Sequence, residues 1–437
     1  MTGFAAVWAR GVHMRQQGVS RRRFLRGMAA SVVAAPCLVS SNALGGGGRA
    51  PASDRIGLGF IGLGGRGNDI MGGFLGPATH PLAVCDPWEN RREAARRRLG
   101  GSPAMFSDFR ELLGVPGIDA VVIATPEYWH ALIAVAAAKA GKDVFCEKAL
   151  AVTVAEGRAM CDAVTRYGRI FQHGTQQRSD YRFRTACELV RNGRIGKLHT
   201  IRAAVPASDA AGHRRPIPIP KELDYEMWLG PSPWIPYCGQ AGIGHPGWCF
   251  RSDYTPGFIL TWGVHHLDIA QWGNDTELSG PTEFEGRGVF PRDGYDDAVM
   301  TWHVEATYPG GVRLIFTSEN EHPNGVRFEG DAGWIFVTRG SWQADPPALL
   351  TSPIGQNEIH LYRSDDHAAN FLECVRTRRP TVAPVEIAHR STTIGLVSAI
   401  TLRLGRKLRW DPQHERFVND DDANRFLSRS MREPWVL

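Results

Sequence analysis

The stretch Ile56-Gly57-Leu58-Gly59-Phe60-Ile61-Gly62-Leu63-Gly64-Gly65-Arg66-Gly67 puts a short apolar run directly before a G-x-G-x-x-G pattern. The run reads as a β-strand and the glycines as a turn into a helix. Gly62 suits the tight turn, Gly64 lets a backbone approach a pyrophosphate, and Gly67 permits close helix packing, with Gly65 and Arg66 between them. The phosphates would then sit at that helix's N-terminus. A chain with 49 glycines makes such patterns by chance, so the weight falls on the context. A second strand-like run, Leu82 to Cys85, ends at Asp86, where a carboxylate can accept hydrogen bonds from an adenosine ribose. Asp86 would repel a 2′-phosphate, which favours NAD over NADP. Arg91 and Arg92 share a helix with Arg96, Arg97 and Arg98 and read as a solvated face.

Outward from this stretch the grammar alternates. Ile56 to Ile61, Leu82 to Cys85, Ala120 to Ala124 and Val144 to Cys146 are strand-like, and Glu89 to Leu99 and His130 to Ala140 are helix-like. Such alternation implies βαβ units and a parallel sheet, an α/β Rossmann domain over residues 55–177. From about residue 178 strands dominate: Leu198 to Ala204, then Phe284 to Val289, Ala298 to Thr307, Val312 to Thr317, Val326 to Glu329 and Trp334 to Thr338. They imply an α+β domain with an open, mostly antiparallel β-sheet over residues 178–437. Between the first two of these strands lies a Pro- and Trp-rich segment, Pro206 to Trp248. The C-terminal helices, Asp366 to Arg376 and Ile387 to Leu404, are expected to pack back on the Rossmann domain.

Residues 1–43 read differently. Ser20-Arg21-Arg22-Arg23-Phe24-Leu25, followed by a weakly apolar run from Met28 to Val39, has the form of a twin-arginine signal, with Ser41-Asn42-Ala43 as its cleavage site. Residues 44–54 form a glycine-rich linker. The run is too short and too polar to span a bilayer. The formal charge is +5, but six of the 50 basic residues are arginines of this leader, which leaves 44 basic against 45 acidic residues in the body. A near-neutral body argues against a nucleic-acid partner. Eight cysteines without a CxxC pair are no disulfide framework. The twin-arginine route carries proteins already folded in the reducing cytoplasm, which suits a fold without bridges.

Two further segments carry chemistry. Thr125-Pro126-Glu127-Tyr128-Trp129-His130 precedes Ala140-Gly141-Lys142-Asp143-Val144-Phe145-Cys146-Glu147-Lys148-Ala149. Together with Ile195-Gly196-Lys197, Gly263-Val264-His265-His266-Leu267-Asp268 and Leu404-Gly405-Arg406-Lys407, they resemble the Gfo/Idh/MocA family, named for glucose-fructose oxidoreductase and inositol dehydrogenase. That family carries TP(N)xxH and AGKHVxxEKP segments. The resemblance implies a sugar or polyol bound between sheet and nicotinamide, with Thr125, Pro126, His130 and Glu147 near the cofactor. It implies that Lys148 relays a proton while a hydride moves, with Glu147 orienting it. A lysine in a partly desolvated cleft beside a cationic ring should lose its proton more easily than in water, which suits that work. The family's second catalytic pair, D-x-x-x-H, falls on Thr261 and His265, so the histidine is kept and the carboxylate is lost. Ala149 replaces the proline of EKP.

His265 can exchange protons near neutral pH, whereas Thr261 can only hydrogen-bond or position. Gln176, Gln177 and Arg178, after a sixth strand from Ile170 to His173, suit hydroxyl recognition, with ordinary loop capping as the alternative. His266 and Asp268 join them as substrate candidates, with a structural pairing role open for Asp268. No histidine or acid lies at a spacing that would complete a metal site with them. Trp228, Trp234, Tyr237, Trp248 and Trp262 offer faces for a sugar ring or fill the core.

The expected function is an exported NAD(H)-dependent enzyme acting on a carbohydrate by hydride transfer at a ring hydroxyl or ketone. A redox-neutral glycoside hydrolase or eliminase that works through a keto-sugar, and a noncatalytic sugar-binding protein, are the alternatives. Outside the cytoplasm a dissociated cofactor would be lost after one turnover. The NAD is therefore expected to be tightly bound and regenerated in place. A homodimer or homotetramer through the open sheet is what the resemblance implies.

Overall fold

A computed structural model describes residues 51, 54–209, 212–319 and 321–437. The expected signal segment, and all of the linker except Pro51 and Asp54, lie outside the described residues. Arg55–Leu437 form one compact unit. Its first layer is a sheet of β1 (Ile56–Ile61), β2 (Thr79–Cys85), β3 (Ala104–Phe106), β4 (Ala120–Ile123), β5 (Asp143–Cys146) and β6 (Phe171–His173). The order is β3-β2-β1-β4-β5-β6, and every pairing is parallel. This is the Rossmann order, whose ligand crevice lies at the carboxyl ends of the strands. β1, β4 and β5 are buried along their whole length, which is why they read as unbroken apolar runs rather than alternating ones.

The second sheet comprises β7 (Leu198–Val205), β8 (Glu283–Val289), β9 (Thr301–Thr307), β10 (Arg313–Ser318), β11 (Gly325–Gly330), β12 (Gly333–Thr338), β13 (Ser341–Asp345), β14 (Leu408–Asp411) and β15 (Arg416–Phe417). Its order among the described residues is β13-β12-β11-β7-β10-β9-β8-β14-β15, antiparallel except for β7 against β10. β9 shows the alternation of a one-sided sheet: Trp302, Val304 and Ala306 face the core, while Thr301, His303, Glu305 and Thr307 are half-buried on the other side. The helices Gly263–Gly273 and Val385–Leu404 cover the inner face and contribute Val264, Leu267 and Val397 to that core.

Several strand boundaries differ from the sequence expectation. The strand expected from Ala298 starts at Thr301, because the Asp297 and Ala298 amides donate to the Phe250 carbonyl instead of to a ladder. β3, β13 and the two-residue β15 are short edge pieces with little periodicity to read. The helix His367–Thr377 lies on the Rossmann layer, where Phe371 meets Phe74 and Phe145 at ring distances of 6.2 and 5.9 Å.

The Pro- and Trp-rich segment is mostly irregular and fastens to the Rossmann layer through its aromatics. Tyr128 Oη and Trp129 Nε1 both donate to the Trp228 carbonyl, at 2.8 and 3.2 Å. Trp228 stacks on Tyr225 and meets Tyr254 edge-on. Trp228, Tyr237 and Trp248 are buried, Trp228 and Trp248 also lining the cleft described below, while Trp234 is 56 % exposed and does not line that cleft.

Candidate active site

A cleft of about 570 Å³ opens over the carboxyl ends of β1, β2, β4 and β5 and is closed by the Pro- and Trp-rich segment and the helix carrying His265. Gly62, Gly64, Gly65, Arg66, Asp86, Thr125, Pro126, Glu147, Lys148, Gln176 and His265 line it. Gly62 has φ +87°, and a Cβ there would meet the Ala124 carbonyl and the Thr125 nitrogen at 2.6 Å. Gly67 turns away from the cleft, where a Cβ would stand 2.0 Å from the Gly62 oxygen, so its bareness seats the helix under the loop. Gly65 faces open space. This bare backbone cradle, with Asp86 at the end of the next strand, fits a dinucleotide.

Asp86 is 3 % exposed; its Oδ2 accepts from the Leu63 amide at 2.7 Å and its Oδ1 from the Trp88 amide at 2.9 Å. Burial pushes its pKa up, opposed first by the Arg91 charge. Here the expectation of a solvated arginine face is corrected. Arg91 lies over the Trp88 ring, 3.8 Å from Asp86 Oδ2, and lines the cleft, while Arg92 donates to the Asp86 carbonyl at 2.6 Å. The anchored ring and the nearby carboxylate draw them inward; Arg97, further along, stays exposed.

Lys148 is half-buried at the end of β5. Glu147 beside it is 3 % exposed and paired with Arg66, so the strand end and the glycine loop are tied together. His130 is fully buried off the cleft wall. Its Nδ1 is 2.7 Å from the Ala149 carbonyl oxygen and its Nε2 3.0 Å from that of Thr125, which makes it a brace between two loops rather than a cofactor contact. The Lys148–Ala149 peptide is cis.

On the opposite wall His265 is 4 % exposed, and burial followed by the Lys148 charge pushes its pKa well below the usual histidine value. It therefore enters the cleft as a neutral imidazole at neutral pH. Thr261, one turn earlier, is 1 % exposed with its hydroxyl unpartnered among the described residues, and does not reach the cleft.

Four substrate candidates are corrected. Successive helix residues project about 100° apart, so with His265 facing the cleft His266 turns away, and its Nε2 pairs with Asn324 at 2.8 Å. Arg178 and Asp268 form a buried fork, Nε to Oδ2 at 2.6 Å and Nη2 to Oδ1 at 2.9 Å. Glu277 and Ser391 complete it, at 2.7 and 2.8 Å. With every charged atom engaged inside the protein, neither has one left for a substrate. Gln177 is buried behind the wall, its amide unpartnered among the described residues. Only Gln176 of the group faces the cleft.

Sequence reasoning passes over three residues on this wall: Glu127, His245 and Arg339. Glu127 sits within the quoted Thr125–His130 segment, just past β4, and its place at a parallel strand's carboxyl end was a readable signal. His245 lies in the irregular segment. Arg339, which follows β12 and lies over the Trp262 ring at 4.6 Å, comes from a distant hairpin that no local pattern connects to the glycine loop.

Comparison with known proteins agrees with this arrangement. Residues 56–175 match the profile described as "Oxidoreductase family, NAD-binding Rossmann fold", and residues 210–437 that described as "Oxidoreductase family, C-terminal alpha/beta domain". The chain belongs to the Gfo/Idh/MocA oxidoreductase family. As a member of it, the chain binds NAD through its Rossmann domain. It is 25 % identical over 347 residues to scyllo-inositol 2-dehydrogenase (NAD(+)) of Bacillus subtilis, covering 77 % of this chain and 90 % of that one. It is 38 % identical over 126 residues to levoglucosan dehydrogenase of Pseudarthrobacter phenanthrenivorans, covering 29 % of this chain and 32 % of that one. Among solved structures, aldose-aldose oxidoreductase from Caulobacter crescentus, complexed with glycerol, superposes with a TM-score of 0.59 at 20 % identity over 81 % of this chain and 99 % of that one. That likeness is one of fold.

Proposed function

We propose that this Gfo/Idh/MocA protein oxidises a hydroxyl, or reduces a ketone, of a sugar or polyol, using a tightly held NAD that is regenerated in place. The observation that carries the reading is one continuous cleft in which the glycine cradle and Asp86 meet Lys148 and His265. The inositol and levoglucosan dehydrogenases among its relatives support the substrate class. When bound, NAD supplies the acceptor for the electron pair of the carbon–hydrogen bond and the donor for its return.

The chain's own residues handle the rest. Lys148 takes the hydroxyl proton as neutral amine, or gives it back as ammonium. His265, held neutral, hydrogen-bonds the reacting oxygen or its neighbour and keeps the ring in place. Gln176, on the cleft wall, is the residue of its loop placed to meet a second hydroxyl. Trp248 and Trp262 exclude water from the far wall.

Export by the twin-arginine route is part of the proposal. Ser20 to Leu25 support it, as do seven unpaired cysteines among the described residues, a fold that needs no oxidising compartment. Among the described residues no helix is long and apolar enough to cross a membrane. Self-association is proposed through the half-buried polar face of the second sheet, around His303 and Glu305.

A redox-neutral cleavage of glycosides is the second reading. Elimination next to a transient ketone needs a further proton-handling group, and Glu127, His245 and His265 share the cleft with Lys148. Purified mature protein, given free sugars, inositols and nitrophenyl glycosides without added cofactor, tests both. Oxidised product supports the first reading, nitrophenol release without net redox change supports the second, and neither outcome with any substrate sinks both.

A further inference from the structure

We propose that residues 429–435 act as a strap that sets how slowly NAD leaves: Trp435 and Arg432 are positioning residues that fix the two walls of the cleft's adenosine end against each other. The proposal rests on the reading above that the nucleotide is tightly held, and its principal test requires no substrate.

Asp86, the acceptor for ribose hydroxyls, marks that end of the cleft. Its amide donates to the Phe106 carbonyl at 3.2 Å, so the chain after β3 borders the same end with Ser107 and Phe109. Trp129 continues this wall, its ring edge-on to Phe109 at 5.6 Å. The Pro- and Trp-rich segment supplies the other wall through Met227 and Trp228. Each wall rests on a helix of only five residues, Phe109–Leu113 and Tyr225–Leu229. Helices that short are not stable by themselves and depend on what packs against them. A nucleotide between two such walls leaves when one of them moves.

The strap touches both. Trp435 backs the first wall: its ring lies 4.6 Å from that of Trp129 and 6.2 Å from that of Phe109, and the Arg110 guanidinium stands 4.9 Å from it. It does not line the cleft, so it acts through Phe109 and Trp129. Arg432 grips the second wall. Its amide donates to the Pro231 carbonyl at 3.0 Å, its Nε to the Gly230 carbonyl at 3.1 Å and its Nη2 to the Glu226 carbonyl at 3.0 Å, while Nη1 pairs with the Glu226 carboxylate.

The strap is itself tied down. Arg429 donates to the Tyr128 carbonyl at 3.1 Å and to Glu156 at 2.5 Å, which anchors its start beside Trp129. The Trp435 amide donates to the Arg432 carbonyl at 3.0 Å, so the two grips move together. The walls also meet directly, Trp129 Nε1 donating to the Trp228 carbonyl at 3.2 Å, and that bond holds only at the spacing the strap sets. Loosening either grip lets the walls part at Asp86 while Lys148 and His265, which the strap does not touch, keep their places.

Holoprotein is incubated with excess isotope-labelled NAD, and replacement of the bound nucleotide is followed by mass spectrometry at a temperature where every variant is folded. Exchange in Trp435→Ala and in Arg432→Gln is expected to be about tenfold faster than in wild type, as most changes of affinity appear in the off-rate; Trp435→Phe should stay close to wild type. Arg194→Gln, which breaks an ion pair with Glu358 away from the cleft, controls for general loosening and should exchange at the wild-type rate. Wild-type exchange in both Trp435→Ala and Arg432→Gln overturns the proposal, as does equal acceleration in Arg194→Gln. Should Trp435→Ala not fold, Arg432→Gln decides alone, since its carboxylate partner Glu226 is 65 % exposed. Where a substrate is found, KM for NAD should rise with the exchange rate while kcat at saturating nucleotide is kept; a fall in kcat with KM unchanged overturns the proposal. Fast exchange in wild type that is faster still in the variants refutes tight holding and leaves the strap standing, whereas exchange equally slow in all refutes the strap alone.

Discussion

Arg66 and Glu147 join the glycine loop to the strand end that carries Lys148: Arg66 Nε donates to Glu147 Oε1 at 2.8 Å, and Nη2 reaches the same oxygen at 2.7 Å. Arg66 is 43 % exposed and Glu147 almost fully buried, so removing the arginine strands a carboxylate rather than breaking a surface pair. Surface pairs contribute up to about 1 kcal/mol, whereas an unpaired buried acceptor costs about 1–3 kcal/mol. Arg66→Ala should lower the melting temperature by a few degrees and weaken NAD retention through gel filtration. Unchanged retention would separate the pair from cofactor binding.

Lys148→Ala should reduce turnover by about 10²–10⁴-fold, the usual weight of a general acid/base. Bound NAD should survive, because the cradle is backbone from Gly62 to Gly65. Measured together, activity and nucleotide content distinguish a proton-transfer role from a binding role. Activity close to wild type would remove Lys148 from the mechanism.

Asp86→Ala should raise KM for NAD about 10–100-fold, the worth of about 1.5–3 kcal/mol of hydrogen bonding to a charged group. It should also let NADP in, because Arg91, 3.8 Å from the carboxylate, is freed to meet a 2′-phosphate. Kinetics with both nucleotides added to stripped protein read this out. Continued exclusion of NADP would mean that Arg91 does not reach the 2′ position.

The parts of this site legible in the sequence are those where chemistry and chain order coincide. Gly62 to Gly67 and Asp86 sit at consecutive strand ends, and Lys148 sits in a contiguous motif. Arg178 and Asp268 mislead for a physical reason: a charged residue next to a motif can face the crevice or pair behind it, and only the tertiary partner, 90 residues away, decides. Arg339 shows the opposite limit, a cleft residue whose neighbours in sequence are a β-hairpin of the other domain. The second sheet was legible as alternating strands, but not its order, since β7 pairs with β10 and β11 through contacts more than 100 residues apart.

The Arg178–Asp268 pair gives a prediction that separates structure from catalysis. Breaking a buried pair from one side costs about 3–5 kcal/mol, because the other charge is left uncompensated. Asp268→Ala should therefore express poorly or melt at much lower temperature. Asp268→Asn, which keeps the shape and some hydrogen bonds, should be milder and leave KM for the sugar or polyol unaltered. A selective rise in KM with wild-type stability would restore Asp268 to the substrate site.

Stability should fall on acidification below about pH 6.5. His266 is buried and His367 half-buried, and both are held neutral, each with a pKa pushed down to about 4, mainly by loss of solvent. In the unfolded chain they bind protons below about pH 6.5. Between that value and 4 the unfolded state holds more protons, so stability is present above the window and is lost as pH falls through it, at up to about 2.7 kcal/mol per pH unit for two groups. His173 and His265, shifted the same way, add to the slope. Glu127 opposes it, because its raised pKa of about 7 makes the folded state hold the extra proton between about 4.5 and 7. Urea melts at intervals from about pH 7.5 to pH 4.5 should show a steep net loss, and Glu127→Gln, which removes the opposing group, should steepen it. A flat profile across this window would mean that the histidines are not held neutral in the fold.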